Sequence, residues 1–154
     1  MEFGMINLFG FVIIGILLVP NIIYAIWFDD KKSSRNNKSG SKNSSKKMIL
    51  IEQVGRYASM LLMVFPLGVW KFGFDNVFGA VVYLCGNGML LVAYWVVWAF
   101  YIRKPSLQRA CMLAVLPVII FLISCLTLHH YLLVVAAVLF GIGHFYVTYQ
   151  NHIE

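Results

Sequence analysis

Ile49-Leu50-Ile51-Glu52-Gln53-Val54-Gly55-Arg56-Tyr57 opens an apolar run that continues to Trp70, with a carboxylate and a guanidinium four residues apart. At that spacing both heads lie on one face of a helix, one above the other. Ala58 to Trp70 is apolar enough to enter a bilayer. An Arg or Glu there is costly and faces protein interior, water or the interface.

Composition agrees. Of the 154 residues 61% are hydrophobic and 12% charged, and the mean hydropathy is +0.82. Soluble chains run at roughly 45–50% apolar and about 25% charged, so an ordinary soluble domain is excluded. The net charge of +6 is concentrated, with seven of twelve basic residues between Lys31 and Lys47. Nucleic-acid binding needs a basic face on a folded module; a single basic connection supplies none, and no nucleic-acid partner is expected. Cys85, Cys111 and Cys125 show no CxxC and no pairing pattern, and read as small packing groups. The N-terminus lacks a basic n-region and an A-x-A-like cleavage site, so the first apolar run is expected to be retained.

Five stretches are long enough to cross a hydrocarbon core, which takes about 20 helical residues. They are Phe3–Phe28, Met48–Trp70, Val77–Ile102, Leu107–Leu128 and His130–Gln150. Backbone groups in lipid must be satisfied internally, so each is read as a helix. The fold expected is all-α: residues 1–154 form one polytopic bundle of five transmembrane helices. Lys and Arg in short loops set orientation. The first connection carries Lys31, Lys32, Arg35, Lys38, Lys42, Lys46 and Lys47, and the third carries Arg103, Lys104 and Arg109. The second has one Lys and one Asp, and the fourth, at His129-His130, has neither Lys nor Arg. Both basic connections are thus placed in the cytoplasm, the N-terminus outside and the C-terminus cytoplasmic, in a cell membrane taken to be a bacterial plasma membrane.

Residues 29–47 are expected to form a flexible basic loop, because Ser33 to Ser45 is nearly all Ser, Asn, Lys and Gly. Its simplest role is to fix topology and link two helices. The alternative is a tether to the anionic inner leaflet, each basic residue contributing ~1 kcal/mol. Tyr24, Trp27, Phe28, Trp70, Trp95, Trp98 and Tyr101 mark helix ends, as interfacial aromatics do. Pro20, Pro66 and Pro117 fall inside apolar runs, where each removes a hydrogen bond and favours a kink.

Counting depth gives the most specific signal. Measured from the cytoplasmic edge of their helices, Asn21 lies roughly 12 Å in, Arg56 and Tyr94 about 13 Å, and His144 roughly 10 Å. Glu52, Gln53, Trp98 and Thr148 lie one turn nearer the cytoplasm. Tyr83, Asn87, Tyr94, Trp98 and Tyr101 share one helical stripe; Ala137, Gly141, His144, Thr148 and Asn151 share another; Glu52, Gly55, Arg56 and Ser59 share a third. Small and polar stripes face other helices, allowing close approach and interhelical hydrogen bonds. Two readings follow. In one, Arg56, His144, Tyr94 and Asn21 line a cytoplasm-facing pocket for an anion, since Arg suits bidentate recognition of carboxylate or phosphate. In the other, Glu52 neutralises Arg56 and the polar groups knit helices together. Asn87, in Cys85-Gly86-Asn87-Gly88 near mid-membrane, is read as an interhelical packing group or as a local break at a ligand site.

Other chemistry is disfavoured. His129-His130 lies at the opposite end from His144, so no bis-histidine haem pair and no zinc ligand set is expected. P-loop, Gly-rich dinucleotide and HExxH motifs are absent, and Glu52 is the one acidic residue within the apolar runs. No cofactor, metal site or catalytic residue is assigned.

Pro20-Asn21-Ile22-Ile23-Tyr24-Ala25, Glu52-Gln53-Val54-Gly55-Arg56-Tyr57 and Gly143-His144-Phe145-Tyr146 give the chain a pattern that resembles small bacterial five-helix integral membrane proteins. The resemblance implies no activity, substrate or cofactor. The leading expectation is small-molecule or anion binding or transport at an intramembrane polar site, with Arg56, His144, Tyr94, Asn21, Glu52, Trp98, Asn87 and Thr148 as candidate residues. The alternatives are an accessory subunit docking on a membrane protein or a second copy of itself, and an enzyme acting on lipid headgroups.

Overall fold

The computed structural model describes residues 6–33, 46–65, 67 and 73–153. These form five α-helices: α1 Leu8–Ser33, α2 Lys46–Val64, α3 Val77–Arg103, α4 Leu107–Leu128 and α5 Tyr131–Ile153. The all-α expectation holds. Among the described residues, three segments are long and apolar enough to cross a membrane: α3, α4 and the Tyr131–Gln150 part of α5. The apolar part of α1, Leu8–Ile23, is shorter, and α2 carries Lys46, Lys47, Glu52, Gln53 and Arg56 among its apolar residues.

Helix ends follow local chemistry. The Asn76 side chain accepts from the Gly79 N–H at 2.7 Å to start α3, and Ser106 accepts from the Arg109 N–H to start α4, both as N-caps. α4 ends where His129 turns left-handed at φ 52°, which lets the His130 N–H reach the Cys125 carbonyl. Arg109 then covers the end of α3, donating from Nη1 to the carbonyls of Phe100 at 3.0 Å and Lys104 at 2.7 Å. α2 stops at Val64 rather than at Trp70, because Phe65 precedes Pro66 and the residue before proline is disfavoured in helical geometry. Pro66 and Trp70 themselves lie outside the described residues. α1 continues through Asp29-Asp30-Lys31-Lys32-Ser33, so the connection expected over 29–47 is helical at both its ends. Its middle, 34–45, lies outside the described residues.

α2 and α5 run antiparallel as the closest pair, and α4 packs between α5 and α3. A Cβ built on Gly55 would fall 2.7 Å from Phe140 Cα, and one on Gly143 would fall 2.8 Å from Glu52 Cα. The two backbones touch there, an approach open only to glycine. Beyond that contact the core is apolar, with Leu17, Met63, Ile120, Phe121, Leu133 and Phe140 almost fully covered.

A buried polar network holds the opposite end. Asn7 is fully covered and caps α1, its Oδ1 accepting from the Gly10 N–H. Its Nδ2 donates to the Met63 carbonyl and to the Tyr83 hydroxyl, and its backbone N–H to the Val64 carbonyl. The last carbonyls of α2, which have no intrahelical donor, are satisfied in this way. Asn87 Nδ2 donates to Ser124 Oγ at 3.0 Å, and Ser124 donates to the Ile120 carbonyl. α3 is continuous through Gly86-Asn87-Gly88, so the chain does not break there. His130 sits in the α4–α5 turn with its ring covered. Desolvation by burial pushes its pKa below the usual histidine value, opposed by a hydrogen bond with the Phe65 backbone.

Pro20 and Pro117 both lie inside helices. Pro20 has no N–H for the carbonyl four residues back, and Trp95 Nε1 donates to that carbonyl, Ile16, at 3.3 Å. The Trp95 indole, read from sequence as an interfacial marker, thus fills a hydrogen bond that proline vacates.

Candidate binding site at the α2–α5 contact

Glu52 is 6% exposed although it is charged. Gly143 explains how: with no side chain on α5 at that level, the first turns of α2 lie against it and carry the carboxylate inward. Glu52 Oε1 accepts from Arg56 Nη2 one turn along α2 and lies 2.8 Å from His144 Nδ1 on α5. A neutral imidazole in this position donates its Nδ1–H to the carboxylate, leaving Nε2 free as an acceptor. Phe140, one turn from His144, stacks on that ring at 4.9 Å and 19°, while Arg56 Cζ stands 5.7 Å from the Phe140 centroid. One aromatic ring therefore supports both the guanidinium and the imidazole.

A cavity of about 130 Å³ opens beside this cluster, with all five helices contributing to its wall. Its polar lining is Asn21, Arg56, Tyr94 and His144, and Pro117 and Phe140 are among its apolar groups. Tyr94 is 2% exposed and donates its hydroxyl to Asn21 Oδ1 at 3.2 Å; Asn21 Nδ2 donates to the Leu17 carbonyl. Arg56 keeps 36% of its side chain exposed. A guanidinium has five N–H donors and Glu52 takes one, so the others remain for a guest. Chemically the cavity offers a fixed cation, an imidazole and a phenol against apolar walls.

The four residues whose depths coincide in the sequence line this one cavity. Glu52 organises it from behind. Trp98 packs half-buried against the core, and Thr148 lies half-buried one turn past His144; among the described residues neither lines the cavity. Asn87 bonds Ser124 about two turns of α3 from Tyr94 and belongs to a different part of the bundle. On the fifth helix the expected stripe does face other helices: Ala137 is fully covered in the core and His144 reaches Glu52 of α2. Gly141 meets Val118 of α4, and Phe140 and Gly143, one position before Gly141 and His144, make the backbone contact with α2. Phe140, Gly143 and the capping Asn7 carry no role in the sequence reading, and Pro117 appears there as a kink rather than as cavity wall. Only Gly143 left a signal there, as a small residue beside His144. Among the described residues no three His, Cys, Asp or Glu side chains gather where a metal could be held. No protein-family model, curated protein or solved structure matches this chain.

Proposed function

We propose that the chain is a multi-pass membrane protein of five spanning helices that binds, or carries, a small anion in the Arg56 cavity. In this reading the basic first and third connections lie in the cytoplasm with the C-terminus, the N-terminus lies outside, and the cavity sits in the cytoplasmic half of a plasma membrane. One observation carries the reading: Asn21, Arg56, Tyr94 and His144, drawn from four helices, line a single space beside a buried counter-ion. An intramembrane ionisable group facing a cavity is a functional-site candidate by default, and a guanidinium with unused donors suits oxyanions.

Ligand-dependent thermal shifts of the purified protein test it. Carboxylates, phosphates or lipid headgroups stabilise the wild type and not Arg56→Ala. If no anion stabilises the wild type selectively, the site is interhelical packing and the accessory-subunit reading takes its place.

A further inference from the structure

The charge of the cluster limits what can enter the cavity, an inference that rests on the anion-binding reading above. With a neutral imidazole, one carboxylate balances one guanidinium, and Glu52, Arg56 and His144 together carry no net charge. A monoanion set against the unused N–H groups of Arg56 would then leave one uncompensated negative charge among largely apolar walls. That is disfavoured unless a proton arrives with it.

The groups facing His144 decide where the proton goes. From α2 these are Glu52 and Arg56, and from α3, across the cavity, Tyr94; α1 contributes Asn21 and α4 contributes Pro117 and Phe121, none of which ionises. Arg56 is always protonated, and a phenol is already protonated at neutral pH. Protonating Glu52 would remove the negative charge that pairs with Arg56, leaving the carboxyl only a neutral acceptor. Protonating the imidazole keeps Nδ1–H on Glu52 and turns Nε2 from acceptor to donor. We propose that the cavity takes a small monovalent oxyanion together with one proton, the anion on the Arg56 guanidinium and the proton on His144 Nε2. The proton comes from the aqueous phase that the anion leaves, and both return there on release. Glu52 is the positioning residue that makes the coupling obligatory, because its charge cancels that of Arg56 beforehand.

Calorimetric titration of the full chain in nanodiscs, in two buffers of different ionisation enthalpy, counts protons taken up per anion. The probes are acetate and dimethyl phosphate as free oxyanions, and short-chain phosphatidylglycerol against phosphatidylcholine as the lipid-borne form; the anions among them stay monovalent near neutrality. The wild type is expected to take up about one proton per anion, with affinity falling roughly tenfold per pH unit on the alkaline side. Glu52→Gln is expected to bind at least as tightly without proton uptake, because its site already carries a positive charge. His144→Gln is expected to lose uptake and bind more weakly. Anion binding to the wild type without proton uptake overturns the coupling and leaves the binding reading standing. Uptake that survives in His144→Gln overturns the assignment to His144, and no binding of any probe overturns both inferences.

Discussion

Glu52 Oε1 lies 2.8 Å from His144 Nδ1, joining side chains 92 residues apart in the chain, while the same oxygen holds Arg56. Removing that oxygen strands two partners at once. Glu52→Ala is expected to destabilise the protein by about 2–3 kcal/mol, short of the full penalty for a buried pair because Arg56 is one-third exposed. Unfolding in mixed micelles measures it; a loss below about 0.5 kcal/mol, the size of an ordinary surface change, would make the cluster incidental to stability.

The backbone contact at Gly143 makes a sharper prediction. A methyl group there meets Glu52 Cα and N, both backbone atoms, at 2.8 Å. Gly143→Ala is expected to cost about 1–3 kcal/mol through separation of α2 from α5. Gly88, with nothing within 4 Å of a built Cβ, is the control: Gly88→Ala leaves the melting temperature unchanged or raises it. Equal effects at both sites would remove the close approach as an explanation.

Trp95 and Pro20 form a cycle that can be opened from either side. Trp95→Phe deprives the Ile16 carbonyl of its donor and is expected to cost ~1 kcal/mol. Pro20→Ala restores a backbone N–H to the same carbonyl, so Trp95→Phe should cost less in that background. A double-mutant cycle with zero coupling contradicts this account.

Acid should loosen the α4–α5 turn. Burial holds the folded His130 pKa below the usual histidine value, so the unfolded chain takes its proton first as pH falls. The stability is therefore complete above the ordinary histidine range and is lost progressively as pH drops through it towards the lower folded value. Melting temperatures measured downwards from neutral pH, wild type against His130→Gln, should converge as the solution becomes acidic. Parallel curves would place the acid sensitivity elsewhere.

Much of the site was legible because depth is a linear count. Asn21, Arg56, Tyr94 and His144 fall at one level once a helix rises by a constant step, and the α2 stripe of Glu52, Gly55 and Ser59 is the one the fold buries. Rotation about each axis was less legible. Ala137, Gly141 and His144 share a stripe by helical spacing, but that spacing does not show that the neighbouring Phe140 and Gly143 carry the backbone contact with α2. Asn7 and Trp95 escaped for a related reason: each satisfies a carbonyl on another helix, Asn7 at Met63 and Trp95 at Ile16. No pattern along one strand of sequence records such a partner.

The glycine contact between α2 and α5 also bears on the order of synthesis. α2 leaves the ribosome more than eighty residues before α5 does, carrying Glu52 and Arg56 with only each other for company. Until α5 emerges there is no imidazole to share the carboxylate and no Phe140 backbone for Gly55 to rest against. The helix least suited to hydrocarbon must therefore wait longest for its permanent neighbour, and a nascent chain halted after α4 is the form in which quality-control proteases would find that charge pair exposed.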